Sequence, residues 1–139
     1  MHRLLLLAAL AAVLSACGST PMPTPSQTLN IGHRPASPVG VTLVSPTNGE
    51  VVHGDVIHVV VAVSGGTVEQ NYSTNISPTH GHVHLFLNSQ LVYMSYTLHQ
   101  DMPVHPGLTY SMYIEWVASD HLPFSPRDLT QPIIFTVAA

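Results

Sequence analysis

Beyond residue 38 the chain is written in short runs of alternating apolar and polar residues, broken by clusters of turn formers. Val39–Ser45 (VGVTLVS) alternates and stops at Pro46-Thr47-Asn48-Gly49. Val56–Ser64 (VIHVVVAVS) is rich in β-branched residues and ends in Ser64-Gly65-Gly66. His82–Leu87 (HVHLFL) and Leu91–Thr97 (LVYMSYT) flank Asn88-Ser89-Gln90, a spacing that predicts a hairpin. Thr109–Ala118 (TYSMYIEWVA) reads as a long aromatic strand, and Ile133–Val137 (IIFTV) as the last one. No stretch after Cys17 carries a helical period. The segment from Leu98 to His105 divides between strand and loop without a clear boundary.

Six or seven short strands in about 100 residues predict an all-β domain, an immunoglobulin-like sandwich of about seven strands, with a closed barrel as the alternative. The opening VSPTNGEVVHGDVIHVVVAVSG resembles the first strands of bacterial surface Ig-like modules, in which a Pro-x-x-Gly turn separates two strands. That resemblance is to sandwiches without the antibody disulfide, because the chain has one cysteine.

The first residues carry a different signal. His2 and Arg3 precede an unbroken apolar run, Leu4–Leu14. Its 11 residues fall short of the ~20 needed to span a bilayer and fit the apolar region of a signal peptide. Leu14-Ser15-Ala16-Cys17 resembles the bacterial lipobox, which implies cleavage before Cys17 and diacylation of its thiol. Two acyl chains make a stable anchor where one does not. Gly18 in place of an aspartate gives no inner-membrane retention signal, so where a host has two membranes the outer one is favoured. Five prolines between Gly18 and Pro38 keep that segment extended and unable to bury a core. The expected organisation is a lipoprotein signal peptide (1–16), a lipidated Cys17 with a disordered tether (17–38), and one domain (39–139), held outside the cytoplasm.

Charge narrows the function. From Cys17 onward there is no lysine, and two arginines, Arg34 and Arg127, stand against seven acidic residues, a formal charge of −5. Nucleic acid recognition needs clustered basic residues and is excluded. Nine histidines remain after cleavage: His33, His53, His58, His80, His82, His84, His99, His105 and His121. Each titrates near pH 6.5, so full protonation would carry the charge to +4. A surface that responds to mild acid is therefore one reading of the histidine content.

The sharper reading starts from His80-Gly81-His82-Val83-His84-Leu85. On a strand, His82 and His84 project to one face, and Val83, Leu85 and Leu87 to the other. Two imidazoles so placed can bind Zn²⁺ or Cu²⁺, whose bonds to nitrogen are about 2.0 Å. Further ligands would come from His105 or His121, with His80, His99 and Met102 as lesser candidates. Met102 lies in a loop-like stretch, whereas Met94 and Met112 read as packed strand residues. The opposing reading is a solvated or hydrogen-bonding histidine face on a lysine-free domain. His53 and His58 read as structural, and His33 as incidental.

The string GHVHLFLN, then His105-Pro106-Gly107, the aromatic strand and Asp120-His121-Leu122-Pro123, resembles a group of small exported bacterial β-sandwich domains. Their pattern is a Gly-His-x-His strand, a Pro-Gly turn and a later Asp-His beside a proline. The resemblance implies an Ig-like fold with His82, His84 and His121 at the matching positions, and Tyr110 where such domains often carry another histidine. A copper–zinc superoxide dismutase-like enzyme is disfavoured because its remaining ligand spacings and its disulfide are missing. No nucleophile elbow, reactive cysteine or lysine suggests other catalysis. The expectation is a binding module for Cu or Zn, with convergent histidine nitrogens within about 4–5 Å. The alternative is a structural or adhesive module that contacts protein or polysaccharide through an exposed patch of Tyr93, Tyr113 and Trp116.

Overall fold

A computed structural model of the protein describes residues 33–139. The expected signal peptide, Cys17 and the tether as far as residue 32 lie outside the described residues. Ten strands follow one another: β1 (Gly40–Ser45), β2 (Val51–Val52), β3 (Val56–Ser64), β4 (Thr67–Val68), β5 (His80–Leu87), β6 (Gln90–Ser95), β7 (His99–Pro103), β8 (Thr109–Ala118), β9 (Pro123–Leu129) and β10 (Ile133–Val137). No helix occurs among the described residues. The described residues are all-β, as their alternating pattern predicts.

The strands form two sheets, which distinguishes the fold from a closed barrel. The smaller has the order β1-β3-β7. The larger runs β2-β10-β8-β5-β4, with β6 also on β5 and β9 also on β8. Alternation sets the faces. Ile57, Val59 and Val61 of β3 and Met102 of β7 point inward from the first sheet. Val83, Leu85, Met112, Ile114, Trp116 and Phe135 meet them from the second. Strand β8 is central: β5 takes one edge, while β10 and β9 share the other.

Strands β3, β8 and β10 have the bounds read from the sequence, and β5 starts two residues earlier than its apolar run. The β5–β6 hairpin forms with Leu87 opposite Gln90, leaving a two-residue turn of Asn88 and Ser89 at φ 49° and 66°. Two left-handed residues match the right-handed twist of the strands they join. Strand β9 has no legible signal because Pro123 and Pro126 lie within it; an edge strand tolerates them, since it needs donors on one side only. Strand β7 settles the ambiguous stretch after Leu98. It pairs with β3 and buries Met102 opposite Ile57, so Met102 is a core residue and not a loop ligand. Met94 corrects the other way, being 45% exposed on β6. Trp116 is fully buried and contributes nothing to a surface aromatic patch.

Residues 33–38, counted with the tether from composition, are tied to the sandwich. Arg34 holds both carboxylate oxygens of Asp120 at 2.7 and 2.8 Å, the Ser125 N–H donates to the Pro35 carbonyl, and Ser37 Oγ donates to that of Pro78.

Strand β5 approaches β8 closely at Gly81, which pairs with Ala118. A Cβ added at Gly81 would overlap the carbonyl oxygen of Val117, a backbone atom of the partner strand. Gly81→Ala is expected to force the two strands apart and to cost about 1–3 kcal/mol in urea unfolding, the usual range for overpacking. An unchanged unfolding midpoint would show that the strands separate freely here.

Candidate metal centre

In an open two-sheet sandwich, the outward residues of a strand ordinarily meet solvent. On β5 they do not. Val83 and Leu85 face the core, while His82 and His84, on the opposite face, are only 1% and 6% exposed. Solvation is therefore excluded at these two positions, and the hydrogen-bonding form of the opposing reading stands beside the metal reading. Cross-strand neighbours Glu115 and Val117 of β8 are buried beside them, because His84 pairs with Glu115 and His82 with Val117.

Two segments cover this outer face. One joins β4 to β5 and brings Tyr72 against His121, the rings stacked at 22° with centroids 5.9 Å apart. The other is the turn after β8, Ser119-Asp120-His121-Leu122. The Ser73 N–H donates to the Ser119 carbonyl, and Ser119 Oγ donates to Glu69, joining the two segments. Tyr96, beyond β6, brings its ring centroid to 4.9 Å from that of His82.

His121 reaches back over β5 from an unusual backbone conformation. Its φ is 64°, in the left-handed region, which costs a non-glycine residue about 1–2 kcal/mol. The turn holds it there: the His121 N–H donates to the Ala118 carbonyl at 2.9 Å, and the Ala118 N–H to the Leu122 carbonyl at 3.1 Å. Arg34 clamps the same turn, donating to the Asp120 carboxylate and to the Pro123 and Leu122 carbonyls. Burial works to raise the Asp120 carboxyl, but the hydrogen bonds and charge of Arg34, with the Leu122 N–H, hold it below the ordinary carboxylate value. This clamp had no sequence signal, since its partners lie 86 residues apart.

The result is a convergence of three imidazoles. His82 Nε2 lies 3.2 Å from His84 Nε2 and 2.9 Å from His121 Nδ1, and one ring nitrogen from each of the three residues lies within 4.8 Å of the others. Three ligands at about 2.0 Å from one ion sit roughly 3 Å apart, so two of these separations already match a shared cation. Protons cannot satisfy the cluster equally well. A neutral ring nitrogen either donates or accepts, and His82 Nε2 faces two partners at once. A cation accepts all three lone pairs.

The electrostatics suit the same occupant. Burial, then His84 and His121, lower the His82 pKa from 6.5 to about 4, against the raising influence of Glu69 and Asp120. His84 is also lowered, by burial first, with Glu115 opposing and His121 adding to it. Burial thus favours the neutral rings of His82 and His84, the form that ligates metal. Carboxylates stand behind them: Glu115 is 2% exposed and bidentate with Arg127 at 2.6 and 2.7 Å.

The other sequence candidates lie apart from this cluster. His105 is exposed, and its backbone N–H donates to the Tyr110 hydroxyl. His80 is exposed, with Nδ1 3.2 Å from Glu69. His99 stands on β7 in the other sheet. No known protein family, curated protein or solved structure matches the chain.

Two outcomes follow from the metal-free cluster. The unfolded chain protonates His82 near pH 6.5 while the folded one refuses the proton until about pH 4. Stability is lost as pH falls through that window, by up to about 3 kcal/mol at ~1.4 kcal/mol per unit. Urea unfolding at several pH values should show a shallower acid loss for His82→Gln than for the parent; identical slopes would contradict the burial argument. His121→Asn should leave the metal-free melting temperature unchanged or raised, because asparagine accepts a left-handed backbone. A large loss would mean that the His121 ring holds the fold together.

Proposed function

We propose that this protein is a lipid-anchored, extracytoplasmic binding module that takes one transition-metal ion through His82, His84 and His121. The single observation that carries the reading is the meeting of His84 Nε2 and His121 Nδ1 at His82 Nε2, 3.2 and 2.9 Å away, within a cluster of three histidines. Metal binding is the function; catalysis is not proposed. The lipobox-like Leu14-Ser15-Ala16-Cys17 supports anchoring at Cys17, and the proline-rich segment after it supports a spacer between the membrane and the sandwich.

The donor set favours Cu²⁺ over Zn²⁺. All three donors are imidazole nitrogens, and divalent copper stands highest in affinity for such sites among first-row metals. Met102 supplies no thioether, being 2% exposed within the core, so the donors give no preference for Cu(I). Glu69 stands close enough to offset part of the charge of a divalent ion without having to ligate it, whereas Asp120 and Glu115 are already paired with Arg34 and Arg127.

Isothermal titration of the full chain in detergent tests the proposal. Cu²⁺ is expected to occupy a tight site, with Zn²⁺ weaker at the same place. His82→Ala/His84→Ala should abolish the tight equivalent, and His121→Asn should weaken it at least tenfold. Tight binding that survives all three substitutions would sink the reading.

A further inference from the structure

The outer face of the smaller sheet carries a second set of metal-binding groups, unconnected with the buried cluster. On β3, Ile57, Val59 and Val61 point to the core, so His58 points to solvent. On β7, Asp101 pairs directly with His58, and His99 pairs with Val60, one step along the same outer face. Antiparallel register thus brings two histidines and a carboxylate together from residues 41 and 43 positions apart. They lie in the open, with side-chain exposures of 59% for His58 and 71% for Asp101.

The arrangement within this group is directional. Asp101 Oδ1 lies 2.5 Å from His58 Nδ1. An ionised carboxylate only accepts, so Nδ1 carries the ring proton and Nε2 of a neutral His58 presents its lone pair. That Nε2 lies 3.4 Å from His99 Nδ1, with the two rings stacked at 28°. A carboxylate behind a histidine, fixing its tautomer and turning its far nitrogen toward a second imidazole, is the usual arrangement behind a ligating histidine. Two nitrogens about 3.3 Å apart are what bonds of ~2.0 Å to one ion would set. Stability does not account for the group, since exposed ion pairs contribute about 0–1 kcal/mol.

We propose that His58 Nε2 and His99 Nδ1 form a second, solvent-facing site for Cu²⁺, with Asp101 as the positioning residue on His58. The site supplies two protein nitrogens and leaves its other positions to water, so it binds more weakly than three buried imidazoles and exchanges faster. It lies on the opposite outer face of the sandwich from His82, across two sheets packed ~10 Å apart, and the two sites fill independently. The proposal stands or falls separately from the buried site.

The test is Cu²⁺ titration of the full chain in detergent, comparing the parent with His58→Ala/His99→Ala. All three side chains are on the surface, so the variant is expected to fold with an unchanged melting temperature. It should bind one Cu²⁺ fewer than the parent, and the lost equivalent should be the weaker, with two-nitrogen coupling in its electron paramagnetic resonance spectrum. Asp101→Asn should weaken that equivalent about tenfold and leave the other untouched. The same number of bound ions in the parent and His58→Ala/His99→Ala would overturn the site. A failed buried site has a different signature: the tight equivalent would persist in His82→Ala/His84→Ala.

Discussion

The pairing of β5 with β8 is the constraint on which the rest of this molecule depends. Seven consecutive residue pairs, from Gly81–Ala118 to Leu87–Met112, lock the two strands in register. That register places Val83 opposite Trp116 in the core and, one residue along, His84 opposite Glu115 on the other face. A slip by one residue would exchange the two faces entirely. Gly81 allows the approach, because any side chain there would strike the Val117 carbonyl. Core and candidate site are two faces of one strand pair.

Burial on both faces is what makes the outer side chemically distinct. A histidine on an exposed strand keeps its ordinary pKa and its water. Here the β4–β5 segment and the His121 turn exclude solvent from His82 and His84, and burial keeps both rings neutral. The turn is held from a distance by Arg34, so the segment leading into the sandwich also fixes the third imidazole. Backbone strain at His121, a charged clamp on its neighbour and three crowded nitrogens all act at one place. A fold selected for stability alone would not concentrate such costs, and a cation bound there would offset them.

Much of this was legible in the residues. Alternation fixed β3, β8 and β10, and the His-Val-His spacing put two histidines on one face. The Asp-His before Leu122-Pro123 marked His121 as a candidate. Local pattern could not reveal that the outer face is covered, since Tyr72 and the Ser119–Glu69 contact reach it through loops. Nor could it exclude His105, because only tertiary register separates the two. Prolines concealed β9, and the mixed composition of Leu98–His105 concealed β7, and with it both the burial of Met102 and the meeting of His58 with His99.

Anomalous diffraction from crystals grown with Cu²⁺ would show whether His82, His84 and His121 bind one ion together. A shared ion would give a strong copper peak about 2.0 Å from His82 Nε2, His84 Nε2 and His121 Nδ1. Copper bound elsewhere, with the three rings still hydrogen-bonded to one another and no peak between them, would contradict it.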